Sequence, residues 1–330
     1  MVRTTKSNVG KFPLAALSLF LAGSVFCAPF QDPELVKYVN DALDIMEEHS
    51  IYQNIVYWEE FREIAFERAE ELTELSDAHK AIEEALLRLG DRHGRLIPPD
   101  ELDALANDGL ESSRLEPWTP GDAKLIGDRI GYITVPNVAG RSKSRVNAYV
   151  DEMHEAMKNI DSDDVCAWIV DLRKTTGGNI SALVDGIVPI LGSGVVGGQV
   201  GPDGKIHVYR VEDGRSWQDR RGGRAYKLKN RNPPVAALIG QETSGSGEAI
   251  ALTFLGREMS LTFGEPTAGL TTLRAPFMLS DGSALALSRS ILTDRINRLY
   301  FKGIRPQVRA TDKEIINVAV KWLESSDPCQ

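Results

Sequence analysis

The sequence predicts an α/β (α+β) core that follows an N-terminal helical domain. Apolar residues recur at helical spacing from about residue 32 to residue 90. Beyond residue 130, short apolar runs alternate with helical patterns, which favours a layer of parallel strands covered by helices. Between the two regions, residues 91 to 125 are rich in Pro, Gly, Asp and Ser and predict a loop or linker.

Three helices account for the first region. Apolar residues at helical spacing span positions 35 to 46 in the first helix and 61 to 72 in the second. The third helix runs from Asp77 to Leu89. It ends at Gly90, since glycine readily adopts the left-handed conformation that closes a helix.

The second region alternates between strands and helices. Strands are predicted over residues 130–135, 165–172 and 235–239, and helices over residues 144–160, 180–191 and 247–255. Residues 196 to 228 carry many Gly and Arg residues with short β patterns and predict a hairpin insertion. We therefore expect a helical domain with its linker over residues 28–114 and a core domain over residues 115–325.

Composition and charge exclude several classes of function. The chain has 330 residues, of which 42% are hydrophobic and 26% charged, an ordinary globular composition. Its formal net charge of −9 argues against nucleic-acid binding. The histidines are scattered and the cysteines are too few for a zinc site, so no metal is expected. Residues 192–197 match a dinucleotide-binding pattern, but a β pattern follows in place of the required helix, so no cofactor is expected.

The N-terminus has the features of a secretory signal peptide over residues 1–27. Basic residues precede an apolar run from Phe12 to Ala22, and small residues follow it. The protein is therefore expected to be secreted or periplasmic. A lipid anchor at Cys27 is not expected, because Phe26 occupies a place where the lipidation signal requires a small residue.

Two cysteines remain after the signal peptide. Cys166 lies in a predicted apolar strand and is expected to be a buried thiol. Cys329 is the penultimate residue. A bridge between the two is not expected, since a secreted chain of this length can fold without disulfides.

Three short motifs follow apolar runs of strand type. They are residues 171–178 (DLRKTTGG), 243–249 (TSGSGEA) and 264–269 (GEPTAG). The first motif ends in two glycines that can present bare backbone N–H groups. In the second, Ser244 and Ser246 stand at the predicted start of a helix, where a serine serves either as a nucleophile or as an N-cap. A serine on a turn beside such amides is what acyl transfer by a nucleophilic serine requires.

A general base for such a serine has to come from upstream. None of the histidines follows the serines, so the order Ser, Asp, His along the chain is excluded. His93 lies in a loop just after a predicted helix, and loops are where catalytic groups concentrate. His93 is therefore the candidate base, with a structural role as the alternative.

The motifs, together with residues 130–133, 281–285 and 303–306, resemble the tail-specific, or C-terminal processing, serine protease family over residues 115 to 310. The likeness is closest to the branch without a PDZ domain, which is similar to the tricorn protease core and to interphotoreceptor retinoid-binding protein. It implies a core of the ClpP/crotonase-like type. It also implies a serine-type peptidase that hydrolyses peptides or protein C-termini through an acyl-enzyme, and it leaves a homo-oligomer open.

The resemblance also implies roles for particular residues. Ser246 would attack the substrate carbonyl, with Ser244 as the alternative nucleophile, and His93 would take the proton. Backbone amides would hold the oxyanion; the candidates are those of Gly177, Gly178 and Gly247. The implied partner is a peptide or protein substrate.

The chain departs from the family pattern at several positions. The family places its nucleophile three residues before the position of Glu248, and here that residue is Gly245. Leu270 stands where the PDZ-bearing branch has a lysine base, and Tyr300 stands where tricorn-like enzymes have a Glu that orients the histidine. Two other carboxylates are candidates for orienting the histidine, Asp294 and Glu265. Gly245 and Tyr300 favour the alternative of a catalytically inactive member that binds peptides or other ligands, and Leu270 means that a Ser–Lys dyad is not expected.

Overall fold

The computed structural model describes residues 32–67, 72–103, 121–140, 142–217, 219 and 225–330. The predicted signal peptide lies outside the described residues, as does most of the predicted linker beyond residue 103. No helix in the described ranges combines the length and the apolar character that a membrane crossing requires.

Helices and strands alternate in the core as predicted. The described helices are α1 (Pro33–His49), α2 (Trp58–Glu67), α3 (Leu75–Arg88), α4 (Lys143–Lys158), α5 (Ile180–Leu191), α6 (Ser246–Leu252) and α7 (Ile315–Glu324). The described strands are β1 (Arg95–Ile97), β2 (Ala123–Ile126), β3 (Ile130–Thr134), β4 (Ala167–Asp171), β5 (Gly194–Val200), β6 (Ile206–Glu212), β7 (Arg215–Ser216), β8 (Val235–Ile239), β9 (Ser260–Gly264), β10 (Thr272–Met278), β11 (Ala284–Thr293) and β12 (Val308–Arg309). The predicted hairpin insertion corresponds to β5, β6 and β7. The segment predicted as a loop contains β1 and β2, whose few residues depend on partner strands elsewhere in the chain.

One sheet has the strand order β12-β9-β8-β4-β3-β2, and its neighbours run parallel except for β2 and β3. Its side chains alternate between two faces. One face packs against α4, α5 and α6 through residues such as Trp168 and Val170. The other face packs against α7 through residues such as Ile169 and Phe263. The carboxyl ends of β4, β8 and β9 lie along one edge, and the three motifs begin there.

The second sheet is antiparallel, with the order β1-β11-β5-β6-β7 and with β10 also paired to β11. The helices α1, α2 and α3 pack against the β10–β11 hairpin. Leu279, Leu285 and Leu287 of the hairpin are buried in the same apolar cluster as Leu43 of α1 and Ile82 of α3. The helical region and the second sheet therefore share one core.

Cys166 and Cys329 form a disulfide, with their Cα atoms 5.2 Å apart. The expectation of a free thiol at Cys166 is therefore wrong. α7 returns the end of the chain to the start of β4, where the Arg129 guanidinium donates to the carbonyl of Cys329 at 2.6 Å. The pattern along the chain does not reveal the pair, because the two cysteines are separated by 163 positions.

Candidate active site

The second motif forms a sharp turn between β8 and α6. Thr243 fixes this turn, since its hydroxyl donates to Leu172 O (2.9 Å) and accepts from the amide of Gly240 (3.0 Å). Gly245 is the N-cap of α6 and has φ 53° and ψ −113°, a conformation that residues with a side chain rarely adopt. A Cβ added to it would meet no atom within 4 Å. Residue 245 is thus the position from which a side chain would project into open space.

The two candidate nucleophiles flank this position, and both are half-buried. Ser244 Oγ donates to Thr176 O at 2.7 Å. Ser246 Oγ donates to Gly178 O at 2.8 Å. Each hydroxyl ties the turn to the loop that follows β4, and neither hydroxyl donates to His93. The structure therefore places both serines beside the predicted oxyanion loop as anchors of its backbone.

The three glycines predicted to hold an oxyanion differ in what their amides contact. The Gly177 amide donates to Asn137 Oδ1 at 3.2 Å. The Gly247 amide donates to Ser244 O at 2.9 Å, so it closes the first turn of α6 and is already occupied. The Gly178 amide has no acceptor among the described residues. Gly178 has φ +126°, and a Cβ on it would lie 2.4 Å from a backbone oxygen, so glycine is required there.

Glu248 is buried at the start of α6 and joins the turn to the third motif. Its Oε2 accepts from the amides of Gly245 (3.1 Å) and Leu270 (2.7 Å), and its Oε1 accepts from the amide of Gly269 (2.9 Å). Burial raises the pKa of this carboxyl, although the hydrogen bonds act in the opposite direction. The same oxygen accepts from both Gly245 and Leu270, so the two backbone nitrogens lie no farther apart than the sum of the two hydrogen-bond distances. The turn and the segment before β10 are therefore close together.

His93 lies in the loop after α3, against the start of β10. Its Nδ1 is 2.8 Å from Thr272 Oγ1, and its own amide donates to Asp91 Oδ1 at 3.2 Å. Burial, followed by the positive charge of Arg274, lowers the pKa of His93 to about 4. The ring is therefore neutral at neutral pH, and a neutral imidazole can act as a base.

The start of β10 links the histidine to the turn. Leu270 is bound through Glu248 to Gly245, as described above. Two residues later, Thr272 contacts His93. The structure therefore brings the candidate base and residue 245 to the same end of β10. Sequence reasoning could not establish this, because the connection passes through a strand that the pattern does not predict.

Neither carboxylate predicted to orient the histidine contacts it. Asp294 accepts from the hydroxyl of Tyr300 at 3.1 Å and from amides of its own turn. Glu265 accepts from Gln241 at 2.8 Å. Sequence reasoning missed Thr272, which lies in a run of mixed polar and apolar residues that carries no clear signal. Within the described ranges, no group of three or more His, Cys, Asp or Glu side chains is placed to hold a metal ion.

A strand–turn–helix corner, a glycine loop with a bare amide at Gly178 and a neutral histidine are the layout of hydrolases that use a nucleophilic serine. Residues 129–310, more than half of the chain, match the model of peptidase family S41. The chain belongs to this family of tail-specific peptidases, as its motifs predict.

Two relatives and one solved structure are similar to this chain. The nisin-resistance protein of Lactococcus lactis subsp. lactis is 24% identical over 312 residues, which cover 93% of this chain and 92% of that protein. The chloroplastic carboxyl-terminal-processing peptidase 2 of Arabidopsis thaliana is 26% identical over 160 residues, 48% of this chain and 27% of that protein. The solved structure of a lipoprotein from Streptococcus agalactiae superposes with a TM-score of 0.70 at 22% identity, covering 89% of this chain and 97% of that one. The last comparison shows a shared mixed α/β fold.

Proposed function

We propose that the protein binds polypeptide segments in extended form and that it forms no acyl-enzyme while residue 245 is glycine. The proposed binding site, called the cleft below, consists of the turn that carries Gly245, the start of β10 and His93. Gly245 is the observation that carries the proposal. It occupies the position from which a side chain would enter open space, three residues before Glu248, where the family places its nucleophile. Neither neighbour replaces it, because Ser244 and Ser246 donate their hydroxyl protons to backbone carbonyls.

Strand β10 supports a polypeptide as the ligand. Among the described strands, β10 pairs only with β11, and we propose that an extended chain pairs with its other edge. This edge begins beside the turn that carries Gly245. Leu299 and Phe301, which are 44% and 52% exposed, add apolar surface nearby. Their segment is held by the hydrogen bond from Thr271 Oγ1 to Tyr300 O.

The relatives narrow the ligand class further. The relative that aligns with nearly all of this chain is named for nisin resistance. Two relatives that align with 48% and 63% of this chain are named as carboxyl-terminal-processing enzymes. We therefore propose peptides or loose protein C-termini as ligands, and nisin as the first probe.

A serine-type peptidase that hydrolyses peptides or protein C-termini is the second candidate. His93 favours it, since a neutral imidazole at a cleft is a base that simple binding does not require. In this candidate Ser246 or Ser244 leaves its carbonyl partner and attacks the substrate, and the Gly178 amide faces the oxyanion. A nucleophile displaced by about an ångström lowers the rate on the order of a hundredfold.

Fluorophosphonate labelling separates the two candidates. The wild-type protein is expected to take no label, whereas Gly245→Ser is expected to be labelled at residue 245. His93→Gln in the Gly245→Ser background is the matched control and is expected to lose the label. Label on Ser246 or Ser244 of the wild type, located by peptide mass mapping, would establish the peptidase instead.

Binding is tested separately from labelling. Fluorescence anisotropy with nisin and with unstructured peptides bearing a free C-terminus is expected to show saturable binding by the wild type. Absence of binding to every one of these probes would overturn the binding proposal.

We further propose a secreted or periplasmic location. The disulfide between Cys166 and Cys329 supports it, because disulfides persist in oxidising compartments. Removal of residues 1–27 belongs to the same proposal. We also propose a ClpP/crotonase-like type for the core and a division of the chain at residue 115, across which the helices and the β10–β11 hairpin pack together. N-terminal sequencing of the exported protein is expected to begin at or next to Ala28.

A further inference from the structure

A line of hydrogen bonds leads from the His93 ring through the hydroxyls of Thr272 and Ser288 to the carboxylate of Asp91. We propose that Thr272, Ser288 and Asp91 are positioning residues that hold the neutral imidazole in one tautomer, with the proton on Nδ1 and Nε2 left as the free base. The inference rests on the proposed function only in that it concerns the same cleft. It does not depend on which group attacks a bound carbonyl.

The direction of each hydrogen bond follows from the end of the line. Asp91 ends the line with a carboxylate, which only accepts. Ser288 donates its hydroxyl proton to Asp91 Oδ1 at 2.7 Å. Thr272 Oγ1 therefore donates to Ser288 Oγ in the contact of 2.9 Å between them, because the serine hydroxyl already donates its proton to Asp91.

The same count of hydroxyl protons determines the tautomer of His93. With its proton donated to Ser288, the hydroxyl of Thr272 can only accept from the ring nitrogen 2.8 Å away. That nitrogen is Nδ1 of His93, which must carry the ring proton. In a neutral imidazole the other nitrogen, Nε2, then keeps its lone pair.

Asp91 is a firm end for this line because it is fully buried and saturated with donors. Its Oδ1 also accepts from the amides of His93 (3.2 Å) and Gly94 (2.7 Å), and its Oδ2 accepts from the amide of Ser288 (2.9 Å). One carboxylate therefore ties the histidine loop to β11. The ring is positioned both through its own backbone and through its Nδ1 proton.

The line has a chemical consequence for any attack in the cleft. When a hydroxyl attacks a carbonyl carbon, a C–O bond forms and Nε2 of His93 takes the hydroxyl proton. The resulting imidazolium keeps its Nδ1 proton on Thr272, and two hydroxyls lead from there to the negative charge of Asp91. On collapse of the oxyanion, the proton passes from Nε2 to the leaving amine as the C–N bond breaks.

The tautomer is directly measurable by long-range ¹H–¹⁵N correlation of the histidine side chains at neutral pH. The wild-type protein is expected to show His93 protonated at Nδ1. Thr272→Val keeps the shape of the side chain but lacks the hydroxyl that accepts the Nδ1 proton at 2.8 Å, so the proton is expected to move to Nε2. Thr272→Ser is expected to restore the Nδ1 form. Thr271→Val is the matched control, because the Thr271 hydroxyl donates to Tyr300 O and is not part of the line.

A second arm follows the chemistry in whichever protein is active, either the wild type or Gly245→Ser. There Thr272→Val is expected to lower kcat on the order of tenfold to a hundredfold with KM unchanged, and Thr272→Ser to recover it. Ser288→Ala is expected to act in the same direction. Ser290→Ala is its matched control, because the Ser290 hydroxyl bonds Gln199 on β5.

Two results would overturn the inference: a wild-type His93 protonated at Nε2, or an Nδ1 proton that persists in Thr272→Val. Both are read from the folded protein without any activity. They are therefore distinct from a failure of the proposed function, which would appear as label on a wild-type serine.

Discussion

The amide of Leu270 donates to Oε2 of Glu248 at 2.7 Å, and the same oxygen accepts from the amide of Gly245 at 3.1 Å. A single carboxylate atom thus joins the turn before α6 to the segment before β10. The geometry of the cleft depends on this atom, since the segment it holds leads directly to Thr272 and the histidine.

Replacing Glu248 by Gln should destabilise the protein. The side-chain NH2 group of Gln is a donor and would face backbone N–H groups that now donate to the carboxylate. Those N–H groups would lose their acceptor. We expect the free energy of unfolding to fall on the order of 3 kcal/mol, measured by urea titration. Glu265→Gln, at a carboxylate near the surface, is the control and should change stability little. Equal stability of Glu248→Gln and the wild type would contradict the anchoring role.

The two glycines of the turn should respond differently to alanine. At Gly247 an added Cβ would lie 2.1 Å from Thr175 O, so Gly247→Ala should displace the backbone and sharply reduce the yield of folded protein. At Gly245 the space is open and the cost is conformational, about 1–3 kcal/mol for the positive φ. Thermal unfolding compares the two variants. A Gly247→Ala protein as stable as Gly245→Ala would argue against the close packing of the two loops.

Stability should depend on pH through His93. The folded state lowers the pKa of this ring from 6.5 to about 4, so the unfolded chain binds a proton that the folded protein refuses between these values. Stability should therefore fall as pH drops from about 6.5 to about 4, with no contribution from this residue above that window. Urea titrations of the wild type and of His93→Gln at several pH values measure the difference. His207→Gln, at an exposed residue of β6, is the control, and an unchanged pH profile in His93→Gln would contradict the prediction.

The disulfide should contribute substantially to stability. It closes a long loop and fixes the end of the chain, so Cys329→Ser should lower the free energy of unfolding by about 2–5 kcal/mol. Arg129→Gln, which removes only the hydrogen bonds to the same chain end, is the comparison and should cost less. Titration of the unreduced protein lacking residues 1–27 should find no free thiol. Two reactive thiols in protein exported to an oxidising compartment would speak against the bridge.

The regular part of the core could be predicted from sequence because its signals are local. The spacing of apolar residues predicts the strand at residues 165–172 and the helix at residues 180–191. The structure confirms both elements. The position of Gly245 in the turn follows from motif spacing alone. The roles of Ser244 and Ser246 could not be predicted, because serine at the start of a helix can act as an N-cap, as a nucleophile or as an anchor of a neighbouring backbone segment.

The support of the histidine lay beyond sequence reasoning for a different reason. Asp91 and Ser288 meet across 197 positions of the chain, and no pattern along the chain encodes that meeting. A hint is present in the strand Ala284–Thr293, where the buried Ser288 and Ser290 lie between two apolar stretches. Buried hydroxyls of this kind need partners, so they indicate a polar network without identifying its other members.

The shared core of the helices and the β10–β11 hairpin bears on where the chain can be cut. A fragment limited to residues 129–310, the span of the family match, would leave Leu279, Leu285 and Leu287 facing water. It would also lack β1, His93 and one half of the disulfide. The stretch delimited by family likeness is thus not expected to fold independently, and a shortened version meant for expression should retain the helices α1 to α3, β1 and Cys329.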